Sequence, residues 1–468
     1  MKKIFKKFMS TEKMLGKTTA LGELESSETY FHKLLSIAWP SALESVLIFL
    51  ISSVDLMMVG TVGTAAIAAV GITTQPRLIV LALISSLNVG VTAVIARRFG
   101  QTDQNGANKC LRQALMINLA IAIVMSSLGF IFAEEVLLFS GAGEDYIDLA
   151  ISYFKPLMVS IVFTSISVTI NAGQRGCGKT KISLRTNLTA NVVNLICNFL
   201  LINGIWVFPT LGVQGAGIAT LIGSSVGCFM SIYSVLDKHG FLSVWQKVGY
   251  KFDSITLNSI TKISSSALIE QICLRVGIFM FMKIVANFGT EAFAAHQACS
   301  SIQEISFAFG DGISIATAAL LGQALGKKRP DEALIYGKIG QRLSFAVSSV
   351  LFFIFLFGGK YLIYLYDDNP EVIRLGTTVM IIIAFTTHIQ TSRLVMMGAL
   401  RGAGDTKYVA FLAMLCVGIV RPVSAYFLCS VLALGLNGAW IAMWLDQAIR
   451  ATLGYKRFSS GKWSKIDL

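Results

Sequence analysis

Residues 34–60, LLSIAWPSALESVLIFLISSVDLMMVG, decide how the rest of the chain is read. The run exceeds the roughly 20 apolar residues that a helix needs to cross a bilayer. It nevertheless carries Glu44 and Asp55, four and fifteen residues after Pro40. An ionised carboxylate near mid-bilayer costs about 2.5–3.5 kcal/mol even on the lenient insertion scale, so such a residue marks a functional site by default. At about 100° per residue the two acids fall within about 20° of each other, about three turns apart on one helical face. That face cannot meet lipid. It must line a wet cavity or meet partner groups inside a bundle.

The 468 residues are 54% hydrophobic and only 14% charged, too few charges to cover a soluble protein of this size. The apolar runs are continuous rather than alternating, which selects membrane helices over a transmembrane barrel. They recur at 34–60, 74–96, 111–133, 149–172, 184–203 and 211–235. After a polar connection they resume at 263–287, 298–325, 340–359, 374–399, 407–432 and 436–453. Twelve spans follow. The eight cysteines are scattered, mostly within apolar runs, with no CxxC pair, so they read as small core residues rather than disulfides or metal ligands. No short apolar segment with a small-residue cleavage site indicates a removable signal peptide.

The net charge of +13 is a topology signal and not a nucleic-acid footprint. Lys2, Lys3, Lys6 and Lys7 open the chain, and Lys238, Lys247, Lys251 and Lys262 mark the polar connection. The loops after even-numbered spans carry Arg97, Arg98, Arg175, Lys179, Lys327, Lys328, Arg329, Arg401 and Lys407, whereas the loop after the third is acidic. By the positive-inside rule both termini are expected in the cytoplasm of a multi-pass cell-membrane protein. The expected organisation is a tail (1–30), a six-helix lobe (31–236), a linker (237–258), a second lobe (259–455) and a tail (456–468).

The chain also repeats. Glu44, Gly63-Thr64, Gly100 and Arg175-Gly176 recur 226 positions later as Glu270, Gly289-Thr290, Gly326 and Arg401-Gly402. Gly212-Val-Gln-Gly-Ala resembles Gly435-Leu-Asn-Gly-Ala near the end. Two parallel, pseudo-symmetric six-helix lobes around a central cavity follow.

Several motifs have plain readings. Gly173 to Thr180 fits the phosphate-loop pattern, but it lies between two membrane helices with no preceding strand, so a tight basic turn is expected. Small residues at Gly215, Ala219, Gly223 and Gly227 form a packing ridge on the sixth span. Asp446 and Arg450, four apart, are expected to pair. Asn187, Asn191, Asn194 and Asn198 are spaced by four, three and four, which puts an amide wall on one face of the fifth span. Glu270 is expected either to pair with Arg275 or Arg393 or to act as a proton-carrying group. Gln75, Pro76 and Arg77, placed at the start of the second span, read as a gate or a cap. Gln297 and Glu304 complete the candidate cavity groups with Glu44, Gln75 and Glu270.

Taken together, Pro40, Val54-Asp55, Val59-Gly60, Gly63 to Ala69, Glu270, Gly289-Thr290 through His296-Gln297 and Arg401 to Thr406 resemble the multidrug and toxic compound extrusion (MATE) transporters. The resemblance covers about residues 30 to 455. It implies a twelve-helix fold with a V-shaped cavity, and export of organic, often cationic compounds in exchange for H⁺ or Na⁺. It implies Asp55 as the first-span acid, Asn194 and Asn198 as the fifth-span pair, and Thr220 as a sixth-span hydroxyl. Asn198 is an amide where many members have Asp, and the tenth span lacks the acid of one branch. If Na⁺ is the coupling ion, Asp55, Asn194 and Asn198 are its expected ligands; no organic cofactor and no enzymatic activity are expected. Partners are small organic substrates and membrane lipids, with no nucleic acid, and a monomer is expected to suffice. A flippase for a lipid-linked sugar or other amphiphile is the alternative, although it calls for a more basic cavity.

Overall fold

The computed structural model describes residues 14–15, 19–205, 208–246 and 253–466, so Lys2, Lys3, Lys6, Lys7, Lys247 and Lys251 lie outside the described residues. Twelve long helices are found among them, at the places the apolar runs predict. In chain order they are α1 (Ser27–Gly60), α2 (Thr64–Gly100), α3 (Gln104–Ile131), α4 (Ile147–Gly176), α5 (Thr180–Asn203) and α6 (Gly212–Ser234). There follow α7 (Ser254–Ala286), α8 (Thr290–Gly326), α9 (Pro330–Tyr364), α10 (Pro370–Gly402), α11 (Thr406–Val431) and α12 (Gly435–Ser459). All except α5, α7 and α12 are long and apolar enough to cross a membrane by length and composition alone. Those three carry more polar residues, among them the α5 asparagines and the Asp446 and Arg450 of α12.

Most helices outrun their hydrophobic stretches, because backbone hydrogen bonding continues into the polar flanks until a cap or a left-handed residue stops it. Asp103 caps α3 by accepting from the Gly106 amide at 2.9 Å, and Asn369 caps α10 by accepting from the Glu371 amide at 2.9 Å. The second helix begins at Thr64, ten residues before the expected start, which puts Gln75 and Arg77 well inside it.

The repeat is written into the backbone. Gly63 and Gly289 have φ of 136° and 95°, Thr102 and Lys328 of 59° and 58°, and Gly178 and Gly404 of 78° and 87°. Each pair stands 226 positions apart. Gly212 and Gly435 match at 54° and 52°. The phosphate-loop-like stretch is therefore the end of α4 and a left-handed turn at Gly178, with the same turn at Gly404. Helix pairing repeats too: α2–α4, α3–α4, α4–α6 and α5–α6 pack as α8–α10, α9–α10, α10–α12 and α11–α12 do.

Contacts divide the chain into two compact units, Val46–Ser264 and Met1–Ser45 with Ser265–Leu468. The divisions fall inside α1 and α7, whereas the expected lobe limits, 31–236 and 259–455, fall near helix ends. In the first unit Ile84, Phe154, Leu157 and Ile161 centre the apolar core, and the short helix Ala133–Phe139 packs beside it. The described part of the expected linker is strapped down. Asn108 donates to the Phe241 carbonyl at 2.9 Å and accepts from the Ser243 amide at 2.8 Å, and Leu242 is buried.

In the second unit the described parts of the expected tails are also folded. The Leu21 amide donates to Asp331 at 3.0 Å, and Trp463 stacks on Phe458 with ring centroids 5.1 Å apart. Asp446 pairs with Arg450 at 2.8 Å as expected, and Arg421 joins it at 2.9 Å. Arg421 lies between two π-helical turns of α11, Cys416–Val420 and Phe427–Val431. Asp446 is fully buried, and Arg421 and Arg450 nearly so. Replacing Asp446 by Asn should lower unfolding free energy by about 3–5 kcal/mol, because two buried guanidinium groups lose their counter-charge. A melting midpoint equal to the parent's in the same detergent would show the cluster to be dispensable.

Candidate functional site

Within the Val46–Ser264 unit, α1, α2, α4, α5 and α6 enclose a cavity of about 430 Å³. That is within the roughly 300–1,000 Å³ usual for small-molecule sites. The asparagine stripe of α5 forms one wall: Asn187, Asn191, Asn194 and Asn198 all line it. The glycine ridge of α6 makes the opposite approach close. A Cβ on Gly223 would stand 2.6 Å from the Ala190 carbonyl oxygen and 2.8 Å from the Asn194 Cβ, so only glycine lets α5 and α6 meet here.

Asp55 projects from α1 into this cavity, half-buried, and accepts a hydrogen bond from Asn198 Nδ2 at 2.9 Å. The same amide reaches Asn194 Oδ1 at 3.3 Å, and Asn194 Nδ2 donates to the Thr220 hydroxyl at 3.3 Å. A continuous chain thus runs from a carboxylate through two amides to a hydroxyl. Thr220 donates in turn to the Ala216 carbonyl at 3.0 Å, so the far end of the chain is tied to the α6 backbone. The Asn198 carbonyl oxygen is buried and has no donor, which leaves an acceptor beside the carboxylate for a proton-bearing group or a cation.

Asp55, Asn194, Asn198 and Thr220 are therefore brought together. Arg77 lines the same cavity, a position that its expected place at a helix start concealed. The other candidates lie elsewhere. Gln75 lines a separate hollow beside Val136 and Tyr146. Glu44 is buried in the other unit, while Gln297 and Glu304 are exposed on α8. Glu270 pairs with neither Arg275 nor Arg393: Arg401 grips it with both sides of its guanidinium, Nε at 3.3 Å and the terminal nitrogen closer still. That partner was hidden by a sequence separation of 131 positions. Among the described residues no group of three or more His, Cys, Asp or Glu side chains is placed to hold a metal ion.

The sequence profile of the MatE family matches the chain twice, over residues 40–200 and 267–427. A probable multidrug resistance protein NorM from Thermotoga maritima is 26% identical over 434 residues, spanning 92% of this chain and 93% of its own. An FAD transporter from Shewanella oneidensis is 25% identical over 343 residues, 73% of this chain and 75% of its own. Among solved structures, the outward-facing conformation of a multidrug resistance MATE family transporter of the MOP superfamily superposes with a TM-score of 0.86. It is 18% identical, over 92% of this chain and 97% of the other.

Gly223→Ala should lower the melting midpoint, at a cost of about 1–3 kcal/mol, because the added methyl overpacks the α5–α6 contact. Gly71→Ala, with no heavy atom within 4 Å of the added Cβ, serves as the control and should melt at or above the parent. Equal effects of the two substitutions would contradict the close approach.

Proposed function

We propose, on the premise that the chain belongs to the MatE family, that it exports small organic solutes across the cell membrane in exchange for H⁺ or Na⁺, with Asp55 as the coupling carboxylate. The relatives are transporters, and their names range from multidrug resistance to FAD transport. Kinship therefore leaves the substrate's charge open. The observation that carries the reading is the Asp55–Asn198–Asn194–Thr220 chain on the wall of a cavity large enough for a small molecule.

In that setting Asp55 is costly when ionised, since it accepts one hydrogen bond, from the Asn198 amide, and forms no ion pair. A proton on the carboxylate, or Na⁺ beside it, removes the unpaired charge. Asp55, Asn198 and Asn194 would hold Na⁺ by oxygen donors, which suit that ion, and the Asn198 oxygen has no other donor to satisfy it. A cationic centre on the substrate competes for the same carboxylate, so ion and substrate exclude one another. Exchange further requires the ion to bind the two cavity orientations unequally, since equal affinity shifts no population. Under this reading Glu270 carries less of the coupling, because Arg401 already neutralises it. The loop charges orient both termini toward the cytoplasm.

Everted vesicles loaded under separate H⁺ and Na⁺ gradients test the proposal with a fluorescent organic cation. The parent should export the dye under one of the gradients, and Asp55→Asn should fall to the rate without a gradient. An Asp55→Asn protein that still exports against a gradient would remove Asp55 from the mechanism.

A further inference from the structure

Among the described residues, the cavity that holds Asp55 holds one other charge. Of those lining it, Asp55 is the one carboxylate and Arg77 the one cation. They are close enough to act on one another electrostatically, yet they form no ion pair: Asp55 turns to the Asn198 amide. Arg77 makes no hydrogen bond or ion pair among the described residues, and its Nε is buried without an acceptor. A guanidinium inside a membrane span with no ion-pair or hydrogen-bond partner is expensive, and it is retained where something that arrives can bind it.

The internal repeat shows that the scaffold does not need a cation there. Arg77 on α2 corresponds, 226 positions on, to Gln303 on α8, and the cavity-lining Thr164 on α4 to Gln390 on α10. In the second half those two glutamines bond to each other at 2.8 Å, closing the helix contact with neutral amides. Gly223, on the cavity wall, likewise corresponds 223 positions on to Asp446, whose arginine cluster occupies that place in the second half. The second half fills the position with side chains, although cavity-lining Ser167 there becomes the buried Arg393, whose Nε also lacks an acceptor; the first half leaves the space open around Asp55 and Arg77. Arg401, Arg421 and Arg450 are each engaged with a carboxylate, Arg175 with the Ser183 hydroxyl and Arg112 with backbone carbonyls.

We infer that this cavity selects zwitterionic substrates, in which a cationic centre meets Asp55 and a carboxylate or similar anionic group meets Arg77. A guanidinium presents paired N–H donors that match a carboxylate, and such charge-assisted bonds are about twice as strong as neutral ones. With Asp55 ionised the two cavity charges balance and suit a molecule that is itself balanced. When the coupling ion neutralises Asp55, the zwitterion's cationic end loses its counter-charge while Arg77 still faces its anionic end. Exchange at Asp55 is thus preserved. The inference rests on the transport reading above and adds the substrate's charge class to it.

Rhodamine 110 and rhodamine 123 give a matched test, since they share one cationic ring system and differ by a free carboxylate against its methyl ester. Binding of each to the purified full chain is read by fluorescence polarisation, with no ion gradient. The parent should prefer the free acid by about tenfold, the low end for a hydrogen bond to a charged group. Arg77→Gln should bring the acid-to-ester affinity ratio to one or below, and Arg77→Lys should hold it above one, with melting midpoints confirming that both variants fold. A parent that binds the ester as well as the acid, a ratio unchanged in Arg77→Gln, or binding of neither dye would overturn the inference. Gradient-driven export of the ester by that same protein would leave the transport reading standing, whereas loss of all gradient-driven export would remove that reading instead.

Discussion

An ionised side chain inside a membrane span must be paid back locally, and the charged residues of this chain are arranged around that constraint. In the unit that includes α8 to α12 the answer is mostly pairing: Glu270 with Arg401, and Asp446 with both Arg421 and Arg450, with Arg393 buried within electrostatic reach of that cluster. In the Val46–Ser264 unit the answer is different. Asp55 is met by an amide and Arg77 by no hydrogen-bond or ion-pair partner among the described residues, and both open onto the same cavity. Charges fixed by one another hold a scaffold. Charges left to a cavity are available to a proton, a metal cation or a substrate.

The duplicated architecture explains how one chain does both. Backbone turns with positive φ recur in register, and the same helix pairs pack in each unit, so the two halves solve the same folding problem. Around the cavity the divergence that matters lies in side chains at matched positions. Where α8 and α10 close with Gln303 and Gln390, α2 and α4 present Arg77 and Thr164. Where α12 carries Asp446, α6 carries Gly223 and leaves room for the asparagine wall. A packing ridge and a polar stripe, each ordinary alone, together shape the cavity.

Much of this was legible before any coordinates. The twelve spans are strong signals because lipid demands long apolar helices, and the repeat shows in loop glycines that must adopt left-handed turns. The amide wall was legible from its four-three-four spacing. Helix ends were not: the polar cluster Thr73-Thr74-Gln75-Pro76-Arg77 reads as a boundary, while hydrogen bonding continues before it through the apolar Ala65 to Val70. That error placed Pro76 and Arg77 at a helix start, where a proline is usual and a cation unremarkable, and it hid the cavity cation. The Glu270 partner was also out of reach, because contacts between helices far apart in sequence leave no local pattern. The matched start at Gly289-Thr290 was the one available correction to the α2 boundary.

The central claim is that ion and substrate compete at Asp55. Ion displacement at equilibrium tests it most directly: purified protein in weak buffer is titrated with a cationic substrate while a pH indicator and a Na⁺-selective electrode record release. The account predicts that substrate binding expels a proton or a Na⁺ from the parent and expels neither from Asp55→Asn. Substrate binding to the parent with no ion released, or equal release from Asp55→Asn, would contradict it.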